Sequence, residues 1–238
     1  VLDVQNWHSF LKTLRAAGYI SQSMMTTQTA LLYTYVFFLL GKIEFQVDHH
    51  ELRKSIARWF FMSTLTGRYT GSFESTMEQD LARFREVKDA QGFLSILNRV
   101  SQDTLTEDFW AITLPNDLAT SSPRSPSLFA YYASLNLLHA NVLFSKLPVA
   151  ELLDPAIKAK KSATERHHLF PKGYLAELGI RDLRDTNQIA NYALVEWDDN
   201  IGISDAPPSD YFPKYTPRFT SSEIKQMMYW HALPEGWE

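Results

Sequence analysis

The sequence predicts a mainly α-helical protein of the α+β class, in which a small β-containing unit follows a bundle-like helical region. Apolar residues recur at helical spacing up to about residue 152, and little β pattern appears before residue 160. After Pro155 the chain becomes polar and basic, and two short apolar stretches replace the helical pattern. We therefore predict a helical region over 1–155 and a second region over 156–238, which ends in a last helix over about 222–231.

The N-terminal helix has the clearest apolar face. Its apolar residues fall at positions i, i+3, i+4 and i+7 and form one stripe, which consists of Trp7, Phe10, Leu11 and Leu14. Gly18 is expected to end this helix. A second helix is predicted over 30–40, where the apolar run stops after 11 residues. A membrane span needs roughly 20 apolar residues, so this segment is interpreted as a buried helix.

Capping pairs mark the next two helices. Asp48 and Glu51 have the spacing of a capping box at the start of a third helix, and Ser75 and Glu78 have the same spacing at the start of a fourth. Between them, Arg68 and Tyr69 lie in a glycine-punctuated turn, where we favour a structural role over contact with DNA. Further helices are predicted over 90–100 and 127–143.

Composition limits the classes of function. With 238 residues, of which 45% are hydrophobic, the chain can bury a core. A net charge of −4 does not suit a free-standing nucleic-acid binder, so contact with DNA would need local basic residues or another module. The sequence has no cysteine and no recognisable leader, from which we expect a cytoplasmic protein without disulfides. The chain begins at Val1, as a piece of a longer protein would.

Two pairs of adjacent histidines invite comparison. His49 and His50 fall in the first turn of a predicted helix, where neighbouring side chains point about 100° apart and do not easily share one ion. We interpret this pair as solvated surface, and His8, His139 and His231 as surface or packing residues. His167 and His168 instead lie on a short strand that runs into a proline-broken loop, which can bring both imidazoles to the edge of a cleft. From strand geometry alone, a purely structural loop is as good an interpretation of this segment as a functional site.

The downstream sequence carries a family resemblance. HHLFP followed by NYALVEWDDNIGISDAPP resembles the ββα-metal, or HNH (His-Me finger), nuclease motif. Asn191 and Asn200 are nine residues apart, an interval that also occurs in the HNH domain of RNA-guided CRISPR nucleases. RWFFMSTLTGRYTGSFESTMEQDL and NQIANYALVEWDDNIGISDAPPSDYF resemble the C-terminal half of GmrSD-like restriction endonucleases, so the likeness extends over most of the chain.

The resemblance implies a role for each matching residue. It makes His168 the general base, His167 and Asn200 metal ligands, and Asn191 a hydrogen-bonding brace for the loop. The metal it implies is a divalent cation, with magnesium as the first expectation. His167 stands where many family members have a carboxylate, and an imidazole ligand favours manganese, nickel, cobalt or zinc more than an oxygen does. Asp198 or Asp199 is expected to cap the short helix that carries Asn200.

A local basic rim surrounds the histidine pair. It consists of Lys158, Lys160, Lys161, Arg166 and Lys172. We predict phosphate contact by Lys161, Arg166 and Lys172, with a solvated linker face as the alternative.

The function implied by the resemblance is that of a metal-dependent DNA endonuclease in a restriction or anti-phage defence system. Its partner would be DNA, including modified or phage DNA, and not a membrane. An N-terminal module for nucleotide hydrolysis and target sensing would lie outside this chain. Two alternatives remain open: a catalytically degenerate module that binds DNA or protein, and an effector that cleaves RNA with the same motif.

Overall fold

A computed structural model describes residues 3–119, 122, 124–154, 156 and 166–238. Over these residues the protein is mainly helical, with thirteen α-helices and one sheet of two strands, which confirms the predicted predominance of helix. The chain forms two compact units. Unit 1 consists of Val1–Pro115 and Arg124–Ala133, and unit 2 consists of Asn116–Pro123 and Ser134–Glu238. The predicted boundary after residue 155 falls beside a stretch outside the described residues and stays a prediction.

Up to residue 137, every regular element of the described chain is a helix. In chain order these helices are α1 (Val4–Arg15), α2 (Thr29–Leu39), α3 (His49–Leu65), α4 (Phe73–Ala82), α5 (Ala90–Thr104), α6 (Leu114–Leu118) and α7 (Pro126–Leu137). A π-helical turn, Leu40–Glu44, continues α2, and a second one, Phe109–Thr113, precedes α6. The predicted helix over 127–143 therefore ends early, and the chain turns at His139, whose φ is +52°.

The start of unit 1 follows the predicted pattern with one exception. Phe10 and Leu14 of α1 are buried, but Leu11 is 44% exposed, so the apolar stripe is narrower than its spacing indicates. Gly18 follows the end of α1 with a φ of +84°, in the left-handed region that glycine adopts without strain. A Cβ at this position would also overlap the carbonyl of Ala133. Both features require glycine here.

Of the two predicted capping boxes, only the N-cap role of Asp48 is confirmed. Asp48 caps α3, because its carboxylate accepts hydrogen bonds from the backbone N–H groups of His50 and Glu51 at 2.9 and 3.2 Å. The prediction for Ser75 is wrong, since α4 already begins at Phe73. Ser75 is a residue of the first turn of α4, and its hydroxyl donates to the carbonyl oxygen of Ser72.

Unit 2 carries the sheet, with helices before and after each strand. Its elements after α7 are α8 (Val149–Leu153), β1 (Arg166–His168), α9 (Lys172–Glu177), α10 (Leu183–Thr186), β2 (Tyr192–Leu194), α11 (Trp197–Ile203), α12 (Pro208–Tyr215) and α13 (Ser221–Trp230). The predicted last helix is confirmed as α13, which Thr220 and Glu223 open with a capping box. No helix among the described residues combines the length and apolar character that crossing a membrane requires.

The two strands are short and antiparallel. Their register pairs Arg166 with Leu194, His167 with Ala193 and His168 with Tyr192. Leu143 extends the pairing on the far side of β2, because its N–H donates to the carbonyl of Leu194 at 2.9 Å. Below the strands lies a buried apolar cluster, which consists of Leu143, Phe144, Leu169, Ala193, Val195, Ile203, Tyr211, Tyr215 and Met227. This cluster fixes β2 and α11 relative to the start of the loop that follows β1.

Candidate functional site

The histidine pair lies on β1, where strand geometry gives the two rings different surroundings. Consecutive side chains of a strand point to opposite faces. His167 is 4% exposed, whereas His168 is only partly buried. The His167 ring meets the edge of the Tyr211 ring, and the His168 ring packs on Tyr192 with centroids 4.8 Å apart.

The inner histidine contacts the asparagine predicted to share its metal ion. His167 Nδ1 lies 2.9 Å from Asn200 Oδ1, although the two residues are 33 positions apart in the chain. If the amide oxygen accepts, Nδ1 carries the proton and Nε2 keeps a lone pair. Nε2 is buried and has no hydrogen-bond partner among the described residues. Burial lowers the pKa of His167, so the ring is neutral near neutral pH.

The outer histidine has a separate partner. His168 Nε2 lies 2.9 Å from Asn187 Oδ1, and an accepting amide oxygen places the proton on Nε2 and a lone pair on Nδ1. Burial lowers the pKa of His168, and the positive charges of Lys172 and Arg166 lower it further. The neutral ring is therefore the dominant form near neutral pH.

Asn191 links the loop that follows β1 to the turn that precedes β2. Its Oδ1 accepts the backbone N–H of Phe170 at 2.7 Å, and its amide group donates to the carbonyl oxygens of Phe170 and Thr186. The side chain is 8% exposed, and both of its polar atoms are engaged. These hydrogen bonds are those of a brace that holds the loop after β1 against the turn before β2.

The basic residues around the pair are only partly described. Arg166 lies on β1 with its guanidinium 5.1 Å from the centre of the Tyr192 ring. Lys172 is exposed at the first position of α9. Lys158, Lys160 and Lys161 lie outside the described residues, so the predicted phosphate contact of Lys161 stays a prediction.

The helix that carries Asn200 begins differently from the prediction. Glu196 precedes α11 at the capping position, and no side chain caps it. Asp198 and Asp199 lie in the first helical turn instead, where their negative charges interact favourably with the positive end of the helix dipole. Asp199 also pairs with Arg218 at 3.0 Å. The predicted capping role of these aspartates is therefore wrong.

His167 and Asn200 offer one imidazole nitrogen and one amide oxygen, which is a sparse donor set for a divalent cation. Because His167 Nδ1 and Asn200 Oδ1 are hydrogen-bonded at 2.9 Å, His167 could bind a metal ion through Nε2, or through Nδ1 only after its proton moves to Nε2. A closed structural zinc site needs four protein ligands. The described part of the chain holds no group of three or more histidine, cysteine, aspartate or glutamate residues that could bind a metal. Water and phosphate would fill the remaining positions.

The other histidines have surface or packing environments, as predicted. His8, His49, His50 and His139 are exposed. His231 is buried, and its Nε2 lies 2.9 Å from the carbonyl oxygen of Asn141. The sequence-based reasoning missed Asn187, because it lies in a polar loop and no spacing signal links it to His168.

Comparisons of the chain with models of protein families, with curated proteins and with solved structures returned no match. The likeness to HNH nucleases therefore rests on the sequence motifs.

Proposed function

We propose that the chain is a metal-dependent endonuclease that hydrolyses DNA phosphodiester bonds, and that β1, β2 and α11 form its ββα-metal unit. One observation carries the proposal: the side chains of His167 and Asn200 meet while the adjacent His168 is held separately by Asn187. This arrangement provides two metal donors beside a proton acceptor. Hydrolysis of a phosphodiester needs both functions at one place.

His168 serves as the general base. Asn187 accepts the proton on Nε2 and so leaves the lone pair of Nδ1 to take a proton from the attacking water. Because burial and the neighbouring cations lower its pKa, the ring is in its accepting form at neutral pH. Arg166 and Lys172 contact phosphates of the DNA strand that is cut.

His167 and Asn200 would hold the metal ion. A divalent cation there would supply positive charge beside the phosphoryl oxygens and the leaving 3′ oxygen. The amide oxygen of Asn200 suits magnesium, and the imidazole of His167 extends the set to manganese, nickel, cobalt or zinc.

The wider role follows from the resemblance and from the charge of the chain. A protein of net charge −4 gains little affinity for DNA from overall electrostatics, so a sensing module outside this chain would supply most of it. We place the activity in a restriction or anti-phage system that acts on DNA, including modified or phage DNA.

Plasmid nicking tests the activity. Supercoiled plasmid is incubated with the protein and either Mg²⁺ or Mn²⁺, and the relaxed and linear forms are quantified. His168→Ala is expected to lower the rate by about 100- to 10,000-fold, the usual contribution of a general base. His49→Ala is the matched control, because His49 is also the neighbour of a second histidine but is exposed on α3. Equal rates in both variants would exclude the assigned base.

Two further outcomes separate the alternatives. A degenerate binding module would shift DNA in a gel but nick it in neither metal. An effector that cleaves RNA would degrade labelled RNA and leave labelled DNA of the same sequence intact. Calorimetric titration with Mn²⁺ tests the metal site directly, since His167→Ala is expected to lose the binding that His49→Ala retains.

A further inference from the structure

A cavity of about 390 Å³ opens beside the candidate site in unit 2. Its lining is mostly apolar, and the residues that line it include Phe170, Leu175, Ile180, Asp185, Gln188 and Asn191. A concave, mostly apolar cavity with a few polar groups is the usual form of a small-ligand site, and this volume lies within the usual range.

The cavity adjoins the proposed catalytic groups through two of its walls. Phe170 is two residues from His168, so their Cα atoms are at most about 7 Å apart. Gln188 directly follows Asn187, whose side chain binds His168. One nucleotide of a bound strand is therefore long enough to place its phosphate at His168 and its base in the cavity.

The polar side chains of the cavity differ in whether their hydrogen-bonding atoms already have partners. Both polar atoms of the Asn191 side chain are already engaged by Phe170 and Thr186, so this residue forms wall only. The side chains of Asp185 and Gln188 form no hydrogen bond with other described residues. A carboxylate accepts hydrogen bonds, and a primary amide both donates and accepts.

This lining favours a flat, neutral ligand with an amino group. An aromatic wall stacks on the face of a base, and an aspartate accepts from the exocyclic amino group of a base edge. The charge of Asp185 repels phosphate, which keeps the backbone of the strand outside. Thymine lacks an exocyclic amino group and pairs less well with the carboxylate.

We propose that this cavity receives one unstacked nucleobase of the substrate strand, with adenine, cytosine or guanine preferred over thymine. The inference rests on the proposed nuclease function and specifies its substrate: one base next to the cut phosphate leaves the stack, as in other enzymes that take up a single base.

Scanning with abasic sites tests the base site. A duplex with a mapped cut position is prepared with each nearby base removed in turn, and KM is measured. Removing the pocketed base is expected to raise KM by about tenfold, the effect of losing one stacked base. Gln188→Ala and Asp185→Asn should raise KM on the intact duplex but cause no further rise on that abasic duplex. Gln226→Ala, which alters an exposed glutamine of α13, serves as the control.

Binding by the His168→Ala protein, followed by fluorescence anisotropy, separates this inference from the nuclease proposal. Discrimination between intact and abasic strands without cutting by the wild type would support the base site and reject the nuclease. The base site alone would be overturned if the protein cut every abasic duplex with the same KM. It would also be overturned if Gln188→Ala and base removal raised KM additively. If the wild type neither cuts nor binds DNA, both inferences fail.

Discussion

At the scale of single residues, Asn187, Asn191 and Asn200 differ in their hydrogen bonds, and we assign them different roles for that reason. Asn191 is fully engaged by backbone groups and fixes a loop. Asn200 contacts Nδ1 of His167 and favours the ring form in which Nε2 keeps its lone pair, and Asn187 contacts a ring nitrogen that must keep its proton if the other is to act as a base. An amide is suited to all three tasks, since it carries two donors and an acceptor and has no charge to neutralise.

Replacement of Asn187 tests its assignment as a positioning residue. Asn187→Ala is expected to lower kcat for nicking by about 10- to 100-fold, as loss of a group that orients a catalytic side chain does. KM and Mn²⁺ affinity should stay unchanged, because Asn187 contacts neither the strand nor the ion in the proposed site. Asn187→Asp keeps an acceptor for the Nε2 proton and should retain most of the activity. A wild-type kcat in Asn187→Ala would contradict the assignment.

The candidate site could be predicted from sequence only where local signals exist. The adjacent histidines and the nine-residue interval between Asn191 and Asn200 are visible in the sequence, and the fold brings His167 and Asn200 into contact. The contact between His168 and Asn187 depends on how the loop before β2 folds back, and no spacing records that path. The roles assigned to these residues in catalysis and metal binding stay predictions.

At the scale of elements, the junction between α3 and α4 depends on one buried carboxylate. Asp80 of α4 has no exposed surface. It accepts from Arg68 Nε at 2.8 Å and from the Tyr69 hydroxyl at 2.9 Å, and the guanidinium of Arg68 lies 5.5 Å from the centre of the Trp59 ring. Arg68 and Tyr69 thus have the structural role that the sequence favours.

Removal of this carboxylate should destabilise unit 1. Asp80→Ala leaves the partly buried Arg68 without its counter-charge, for which we expect a loss of about 3–5 kcal/mol in the free energy of unfolding. Glu78→Ala, on the exposed face of the same helix, should change it by less than about 0.5 kcal/mol. Urea unfolding followed by circular dichroism measures both. Equal stability of the two variants would show that the network contributes little.

The start of a helix could be predicted from the sequence where the capping side chain belongs to the residue just before that helix. Asp48 caps α3 through its own side chain, so the sequence marks the start of that helix. Ser75 has the same spacing signal but lies inside α4, because the helix begins two residues earlier at Phe73. The helix α12 has Pro213 in its interior and is held by the buried rings of Tyr211 and Tyr215, a tertiary effect that propensity does not contain.

At the scale of the whole molecule, stability should depend on pH through a histidine that has no part in the proposed chemistry. His231 follows α13, and burial lowers its pKa from 6.5 to about 4. The unfolded chain therefore binds a proton between these values that the folded chain does not. The contribution to stability is fully present above pH 6.5 and is lost as the pH falls toward about 4.

The expected loss at pH 5 is about 2 kcal/mol from this residue, which follows from 1.36 kcal/mol per unit of pKa. Chemical unfolding at pH 7.5 and pH 5 should show a smaller acid loss in His231→Gln than in the wild type, because glutamine does not titrate and can still donate to Asn141. His139→Gln, an exposed histidine, is the control and should keep the wild-type difference. An unchanged acid loss in His231→Gln would rule out this origin.

The short strands have a consequence for any attempt to produce the proposed nuclease unit on its own. Strands of three residues do not persist as an isolated pair, and here Leu143 adds a backbone hydrogen bond on the other side of β2, at Leu194. A fragment that starts at residue 156 would keep both histidines and all three asparagines yet lose that hydrogen bond. An autonomous version of the unit has to begin upstream of Leu143.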